Sequence, residues 1–465
     1  MKKSVKYLLL GAAALALATA CFFGVRAAAK SLSAPKSGVS GDSSTLAAYS
    51  QFDIFASVPC MSGKSLRYEN AVDDGADTYG VNVYGTTEED YRAYLKILEE
   101  NGFTKYADNG EHGLGGYVYK TYFQKDSLRL SVTYFTRLAR TMISASEKGA
   151  WSEHLLYSED YLAGNKPDAK TTLYLPELYT TGASFFFQLK NGHFIINDGG
   201  TENELPYLLD DLEKLTPEGE KPVIEAWFMS HPHIDHMGVF KAFLENKEQM
   251  DRVYVENVYY NCVSAEAEAY YDGEKLSNYV RGLPPMLKRT DGTAPVLYEI
   301  VLGDRYYFND ITVEAMFTSE AMPYVEWTGE NATSTWLMYY VEGQTILFPA
   351  DGTFSAQQFI MRAYGSDYLD LDVYFPSHHG YDVFDQFTDY LKRVDTVLYP
   401  NYHKLLGGDT GYGTHTVQLL HLNEVAQESY TYGEGTVVMQ FPYTVGSATT
   451  LPMREWSYNV AKPPR

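Results

Sequence analysis

A chain of 465 residues is too long for one ordinary core, and its 45% hydrophobic content excludes disorder, so two domains or one enlarged domain are expected. A formal net charge of −23, with no dense Lys/Arg run, excludes a general attraction for polyanions and with it strong binding of duplex nucleic acid. The 41 Tyr suit strands, and also aromatic-rich surfaces that bind sugars or extended polymers.

The segment Met1 to Tyr7 is basic, and Leu8 to Val25 is almost wholly apolar before Arg26. Residues 1–29 therefore read as a bacterial-type export signal. Ala18-Thr19-Ala20 offers a small-x-small cleavage site with Cys21 next, as in a lipoprotein signal; alternatively the segment stays uncleaved as a signal anchor. Each alternative puts the body outside the cytoplasm, anchored to the cell membrane or secreted. Residues 30–45, rich in Ser, Gly, Pro and Lys, read as a flexible tether. Of the remaining cysteines, Cys60 and Cys262 either pair or stay as free thiols.

Residues 46–165 read as a small α+β domain. Val81 to Tyr84 alternates as a strand, and Thr86 or Thr87 caps a helix with Glu89 and Asp90 in its first turn. Tyr91, Tyr94, Leu95 and Leu98 follow at helical spacing, and Asn101-Gly102 closes the helix. Strands are expected over Tyr117 to Phe123 and Leu128 to Tyr134. His112 and His154 are isolated, and this region holds no ligand cluster.

Residues 170–440 read as a second domain, with 441–465 as a C-terminal extension. Phe185 to Leu189, the turn Asn191-Gly192 and Phe194 to Asn197 form a hairpin ending in Asp198-Gly199-Gly200. Ala226 to Met229 is a buried strand that leads into His231-Pro232-His233-Ile234-Asp235-His236 and then a helix from Gly238. Three His and one Asp this close repel one another and lose solvation unless a cation neutralises them. Later strands end in Phe348-Pro349-Ala350-Asp351 and in Ser377-His378-His379-Gly380, and His415 follows in a glycine-rich loop. Between Cys262 and Arg289 a helical segment is expected as an insert over the site.

Strand-end Asp, His-x-His-x-Asp-His, strand-end Asp and strand-end His, in that order, resemble the signature of the metallo-β-lactamase superfamily. The phrasing is closest to the hydrolase-like domain of competence DNA-uptake channels, through Asn331-Ala332-Thr333-Ser334, Phe348-x-x-Asp351 and His378-His379-Gly380. The resemblance implies an α/β (α+β) fold, a four-layer αβ/βα sandwich holding two divalent ions, zinc or manganese. By the same resemblance His231 and His233 bind the first ion; Asp235, His236 and His378 bind the second. Asp351 bridges the two, and Asp198 supports the His cluster from behind. His379 and His415 are candidates for substrate contact or proton donation, and His379 could exchange roles with His378. Asp235 is also the expected catalytic position for a loss-of-function test. No His lies between His236 and His378, so the first ion lacks a third His; Glu320 or a water could replace it, and the ordinary reading of Glu320 is a solvent-facing carboxylate.

The resulting expectation is an exported metal-dependent hydrolase that cleaves phosphodiester or other ester bonds with a metal-bound hydroxide. One alternative is an esterase acting on cell-wall or teichoic-acid decorations such as phosphocholine. Another is a non-catalytic surface binding protein on a metal-stabilised scaffold. The expected partners are a phosphodiester or cell-envelope polymer and, through the N-terminus, the membrane.

Overall fold

The computed structural model describes residues 49, 52–61, 67–73, 78–110, 113–147, 151–157, 164–261, 292–321, 330–406 and 421–452. The expected export signal and tether, His112, the segment from Cys262 to Arg289 and the loop with His415 lie outside the described residues. Among the described residues no helix is long and apolar enough to cross a membrane.

The N-terminal unit is an antiparallel sheet of β1 (Arg67–Asp73), β2 (Thr78–Tyr84), β3 (Thr104–Asp108), β4 (Val118–Lys125), β5 (Leu128–Phe135) and β6 (Arg140–Ser146), ordered β1-β2-β6-β5-β4-β3. Its helix α1 (Glu88–Glu100) starts with a reciprocal capping box: Thr87 Oγ1 accepts from the Asp90 amide, and the Asp90 carboxylate accepts from the Thr87 amide. Tyr91, Tyr94 and Leu98 then cover Val81, Val83, Leu130 and Val132 on one sheet face. Cys60 is buried in this layer as a free thiol.

The opposite face of this sheet is not solvent-exposed. Leu114, Val118, Phe135 and Met142 share a core with Met316, Phe317 and Phe359 of the following unit. Beside that core, Asp304 accepts from Lys120 Nζ (2.5 Å) and from the hydroxyls of Tyr122 (2.7 Å) and Tyr306 (2.6 Å), all of them buried. A buried ion pair of this kind holds only where its remaining hydrogen-bonding capacity is met, and these bonds meet it. The two units are thereby locked together.

The second unit contains β7 (Thr172–Leu175), β8 (Ser184–Gln188), β9 (Phe194–Asp198), β10 (Val223–Met229), β11 (Tyr254–Tyr260) and β12 (Val296–Glu299). Next come β13 (Arg305–Tyr307), β14 (Ile311–Phe317), β15 (Trp336–Val341), β16 (Gln344–Phe348), β17 (Asp370–Tyr374), β18 (Arg393–Tyr402) and β19 (Glu428–Tyr432). Finally β20 (Thr436–Gln440) and β21 (Thr449–Leu451) return to the earlier sheet, giving orders β12-β11-β10-β9-β8-β7-β20-β21 and β13-β14-β15-β16-β17-β18-β19. β21 lies beyond residue 440, and its pairing with β20 ties that stretch to the sheet edge.

Side-chain alternation then fixes the layers. Phe185 and Phe187 point into a core shared by both sheets, with Ala226, Phe228, Val313, Leu337, Tyr339 and Phe348. Phe186 points the other way, joining Phe194, Ile196 and Trp227 beneath helices α2 (Leu205–Leu215) and α3 (Ile234–Glu245). On the far side Trp336, Met338, Leu347 and Tyr374 are covered by Phe359 and Ile360 of α4 (Phe354–Ala363) and Phe387 of α5 (Asp385–Tyr390). Helix, sheet, sheet, helix is the four-layer αβ/βα sandwich expected from the sequence.

Candidate metal centre

Four strands deliver the polar cluster at their carboxyl ends: β9 ends in Asp198, β10 runs into His231, β16 into Asp351 and β17 into His378 and His379. Getting these side chains to one place strains the backbone. Asp198 (φ 53°), Ala350 (φ 48°), His378 (φ 50°) and His379 (φ 55°) all adopt the left-handed conformation that non-glycine residues avoid. Close packing behind the turn depends on Gly238, where a Cβ would come within 2.6 Å of the Glu202 amide nitrogen. Helix α3, which carries Asp235 and His236, can therefore lie against the loop after β9.

Asp198 organises the turn from behind. Its carboxylate, fully buried, accepts from the Ser230 amide (2.8 Å) and the Ser230 hydroxyl (2.6 Å), and lies 2.8 Å from His236 Nδ1. A proton on that Nδ1 leaves Nε2 as the lone-pair nitrogen, and it faces His379 Nε2 at 3.2 Å and Asp351 Oδ1 at 3.0 Å. The geometry thus puts Asp198 behind Ser230 and His236.

Two sets of donors gather in front. His231, His233 and Asp351 bring one ligand atom each within 4.8 Å of one another, and so do Asp235, His236 and His379. His231 Nε2 lies 3.0 Å from His233 Nδ1 and 3.7 Å from Asp351 Oδ2. His379 Nε2 lies 3.2 Å from Asp235 Oδ2 and 3.4 Å from Asp351 Oδ1. Asp351 thus stands between the sets, with Asp351 Oδ1 buried and making no hydrogen bond. A carboxylate oxygen so placed, facing imidazole nitrogens, fits a divalent cation, and the mixed N/O donor sets suit zinc or manganese.

The electrostatics describe the same demand for positive charge. Burial and the neighbouring His236 push His231 well below the ordinary imidazole range, so it is neutral with a lone pair to give. Burial opposes charge on His236 and His379 too, but Asp351 and Asp198 raise His236 well above that range, and Asp351 and Asp235 raise His379 to about 9. Burial likewise opposes charge on Asp351, yet His236 and His379 hold its carboxyl well below the usual carboxylate range. Burial has the same sense at Asp235, where His379 and His236 keep the carboxyl low.

Two assignments from the sequence change. The second set is completed by His379, not His378: the left-handed backbone at both residues turns the buried His379 ring toward Asp235 and His236. His378 is partly exposed, with Nδ1 held 2.5 Å from Asp382 Oδ2 and Nε2 3.4 Å from Asn331 Nδ2 and 3.7 Å from Asp351 Oδ2. Glu320 belongs to neither set, and it is buried and does not face solvent: it accepts from the Leu302 amide (3.1 Å), Asn261 Nδ2 (3.1 Å) and the Thr318 hydroxyl. His415 lies outside the described residues.

Spacing also missed two carboxylates. Asp382 follows His378 at i+4, a spacing that could have revealed it. Glu330 immediately precedes the Asn331-Ala332-Thr333-Ser334 motif and lies 2.9 Å from His233 Nε2. The motif itself acquires a physical role: Asn331 meets His378, while the Ser334 hydroxyl accepts from the Asp351 amide (3.2 Å) and steadies the strand end.

No protein-family model and no curated protein matches the sequence. Among solved structures the chain is similar to zinc-bound PqqB from Methylobacterium extorquens, at 8% identity over 57% of this chain and 99% of that chain, with a TM-score of 0.33. It is also similar to a metal-dependent hydrolase of the β-lactamase superfamily, at 9% identity over 56% of this chain and 95% of that chain, TM-score 0.30. A metallo-β-lactamase from Hirschia baltica is similar at 10% identity over 62% of this chain and 71% of that chain, TM-score 0.20. At such TM-scores the architecture rests on this chain's own strand order and layers.

Proposed function

We propose that the chain is an exported, membrane-tethered hydrolase of phosphodiester or related ester bonds in a cell-envelope polymer, of the competence-like type. The observation that carries the hydrolase reading is Asp351, buried at the carboxyl end of its strand as a member of one three-residue donor set and facing His236 and His379 of the other. His231, His233 and Asp351 would hold one divalent ion and Asp235, His236 and His379 the other. Such ions lower the pKa of water and stabilise charge on a phosphoryl or acyl oxygen.

The chain's own residues supply position. Asp198 and Ser230 fix His236, and Ser334 fixes Asp351. His378, backed by Asp382 and partly exposed, is the imidazole that faces a substrate and can exchange a proton with a leaving group. Asn331 beside it offers an amide for a polar contact. The motif phrasing around Asn331, Asp351 and His379 supports the competence-like type; net acidity and the expected tether support an envelope polymer over free duplex DNA.

The test uses the full chain with its metal content measured. It is assayed on bis(p-nitrophenyl) phosphate, a p-nitrophenyl ester, p-nitrophenylphosphorylcholine and a chromogenic β-lactam. Phosphodiester hydrolysis should disappear on chelation, return with zinc or manganese, and be lost in Asp235→Ala. Preference for the phosphorylcholine substrate would select the decoration-removing esterase. A metal-loaded chain that cleaves none of the four would overturn the reading.

A further inference from the structure

The first donor set has two His and the shared Asp351, and Glu320, the sequence-based candidate for its missing partner, is committed elsewhere. Glu330 is the acid that meets this set. It lies in the short 3-10 turn Glu330–Thr333 that leads into β15, and the Thr335 amide two residues past that turn donates to the Ser230 carbonyl (3.0 Å). That bond pins the turn to the residue before His231. The side chain of Glu330 is 3% exposed, and its Oε2 lies 2.9 Å from His233 Nε2.

The two nitrogens of His233 therefore face opposite partners. Nε2 faces the carboxylate, and Nδ1 faces His231 Nε2 at 3.0 Å. An imidazole between a carboxylate and a cation donates its outer N–H to the carboxylate and its inner lone pair to the metal; the carboxylate fixes the tautomer and raises ligand basicity. A second observation points the same way. Glu330 Oε1 is buried with no hydrogen-bond partner, so the acid's negative charge is not dispersed into a local network. Such a charge costs free energy unless positive charge stands nearby, and the first donor set is where a cation would stand.

We propose that Glu330 is the positioning residue of the first metal site: it holds His233 with Nδ1 toward the ion and supplies the negative charge that offsets the absence of a third His. This rests on the metal reading above. Glu330 does not touch the ion; it acts through His233.

The experiment is cobalt(II) titration of the metal-free full chain, followed by visible absorption and by metal analysis after dialysis. It compares the native chain, Glu330→Gln, Glu330→Asp, His231→Ala and His379→Asn. Glu330→Gln keeps the shape but loses the charge, and its amide group can no longer accept from Nε2–H at every orientation. It should weaken the first site by about 10- to 100-fold and remove the same absorption bands as His231→Ala, leaving those that His379→Asn removes. Glu330→Asp, which keeps the charge, should recover part of the affinity. Thermal unfolding of metal-free Glu330→Gln should match the native chain within a few degrees, which separates positioning from folding. Two native-affinity sites with unchanged bands in Glu330→Gln would overturn the proposal alone. A native chain that binds no cobalt would overturn both this proposal and the metal reading.

Discussion

The two adjacent histidines at the end of β17 give the sharpest prediction, because sequence spacing leaves them interchangeable and the structure separates them. The perturbations are His379→Asn and His378→Asn; asparagine tolerates the left-handed backbone that both positions require and is a poor ligand for zinc. His379 Nε2 lies 3.2 Å from both His236 Nε2 and Asp235 Oδ2, in a ring that is 1% exposed. Its removal cuts the second set from three ligands to two. Loss of an outer partner alone costs about 10- to 100-fold in metal affinity, so loss of a direct ligand should cost at least the upper end, ~2.7 kcal/mol. His378 Nε2 is 3.7 Å from the nearer Asp351 oxygen, with its ring 29% exposed. His378→Asn should hold both ions with affinities within about threefold of native, while turnover falls by about 10²- to 10⁴-fold, the usual worth of a positioned proton donor. Metal content after dialysis, with competition against a chromogenic chelator, reads the first quantity; kcat on a phosphodiester reads the second. If His378→Asn loses one ion and His379→Asn keeps two, the ligand assignment is wrong.

This ambiguity shows where sequence reasoning stops. The hairpin of β8 and β9, the strand-end acids Asp198 and Asp351 and the His-rich turn were all legible, because alternation and turn residues are local signals. The αβ/βα layering was expected only from the resemblance of the ordered motifs; in the structure Phe185 and Phe187 alternate with Phe186 across a sheet that is covered on both faces. The choice between His378 and His379 was not legible, because side-chain direction at two successive left-handed residues follows neither the strand nor the helix period. Glu320 was misread for a different reason. It follows β14 at a plausible position, but the Leu302 amide and Asn261, 18 and 59 residues away in sequence, bind its carboxylate. Glu330 was overlooked because the residue that explains it, His233, lies far upstream in the chain and only sheet packing brings the two together. The shared core and the Lys120–Asp304 pair, which join the N-terminal sheet to the sandwich, are equally long-range.

That joint yields two further predictions. Lys120→Met preserves the aliphatic stem but leaves Asp304 buried without its cation, and should destabilise the chain by about 3–5 kcal/mol in urea unfolding. A loss below about 1 kcal/mol would mean that the tyrosine hydroxyls and the Val301 amide satisfy Asp304 without the cation. The second concerns Glu299 on β12, whose carboxylate accepts from the Thr78 hydroxyl of β2 at 2.6 Å across the same joint. Burial pushes its carboxyl up to about 7 from an ordinary value of 4.5, even though Thr78 and Arg129 favour the charged form. The folded chain then keeps a proton that the unfolded chain has released between pH 4.5 and 7, so this group's contribution to stability falls as pH rises through that window. Glu299→Gln has no proton to lose, and its side-chain carbonyl can still accept from Thr78. Relative to the native chain it should be nearly neutral near pH 4.5 and gain on the order of 2 kcal/mol by pH 8, the full shift being trimmed for partial solvent access at 1.36 kcal/mol per unit. Urea unfolding across that range reads the difference directly. Parallel stability curves for the two chains would show that Glu299 is charged in the folded state throughout, and that the joint tolerates the carboxylate without cost.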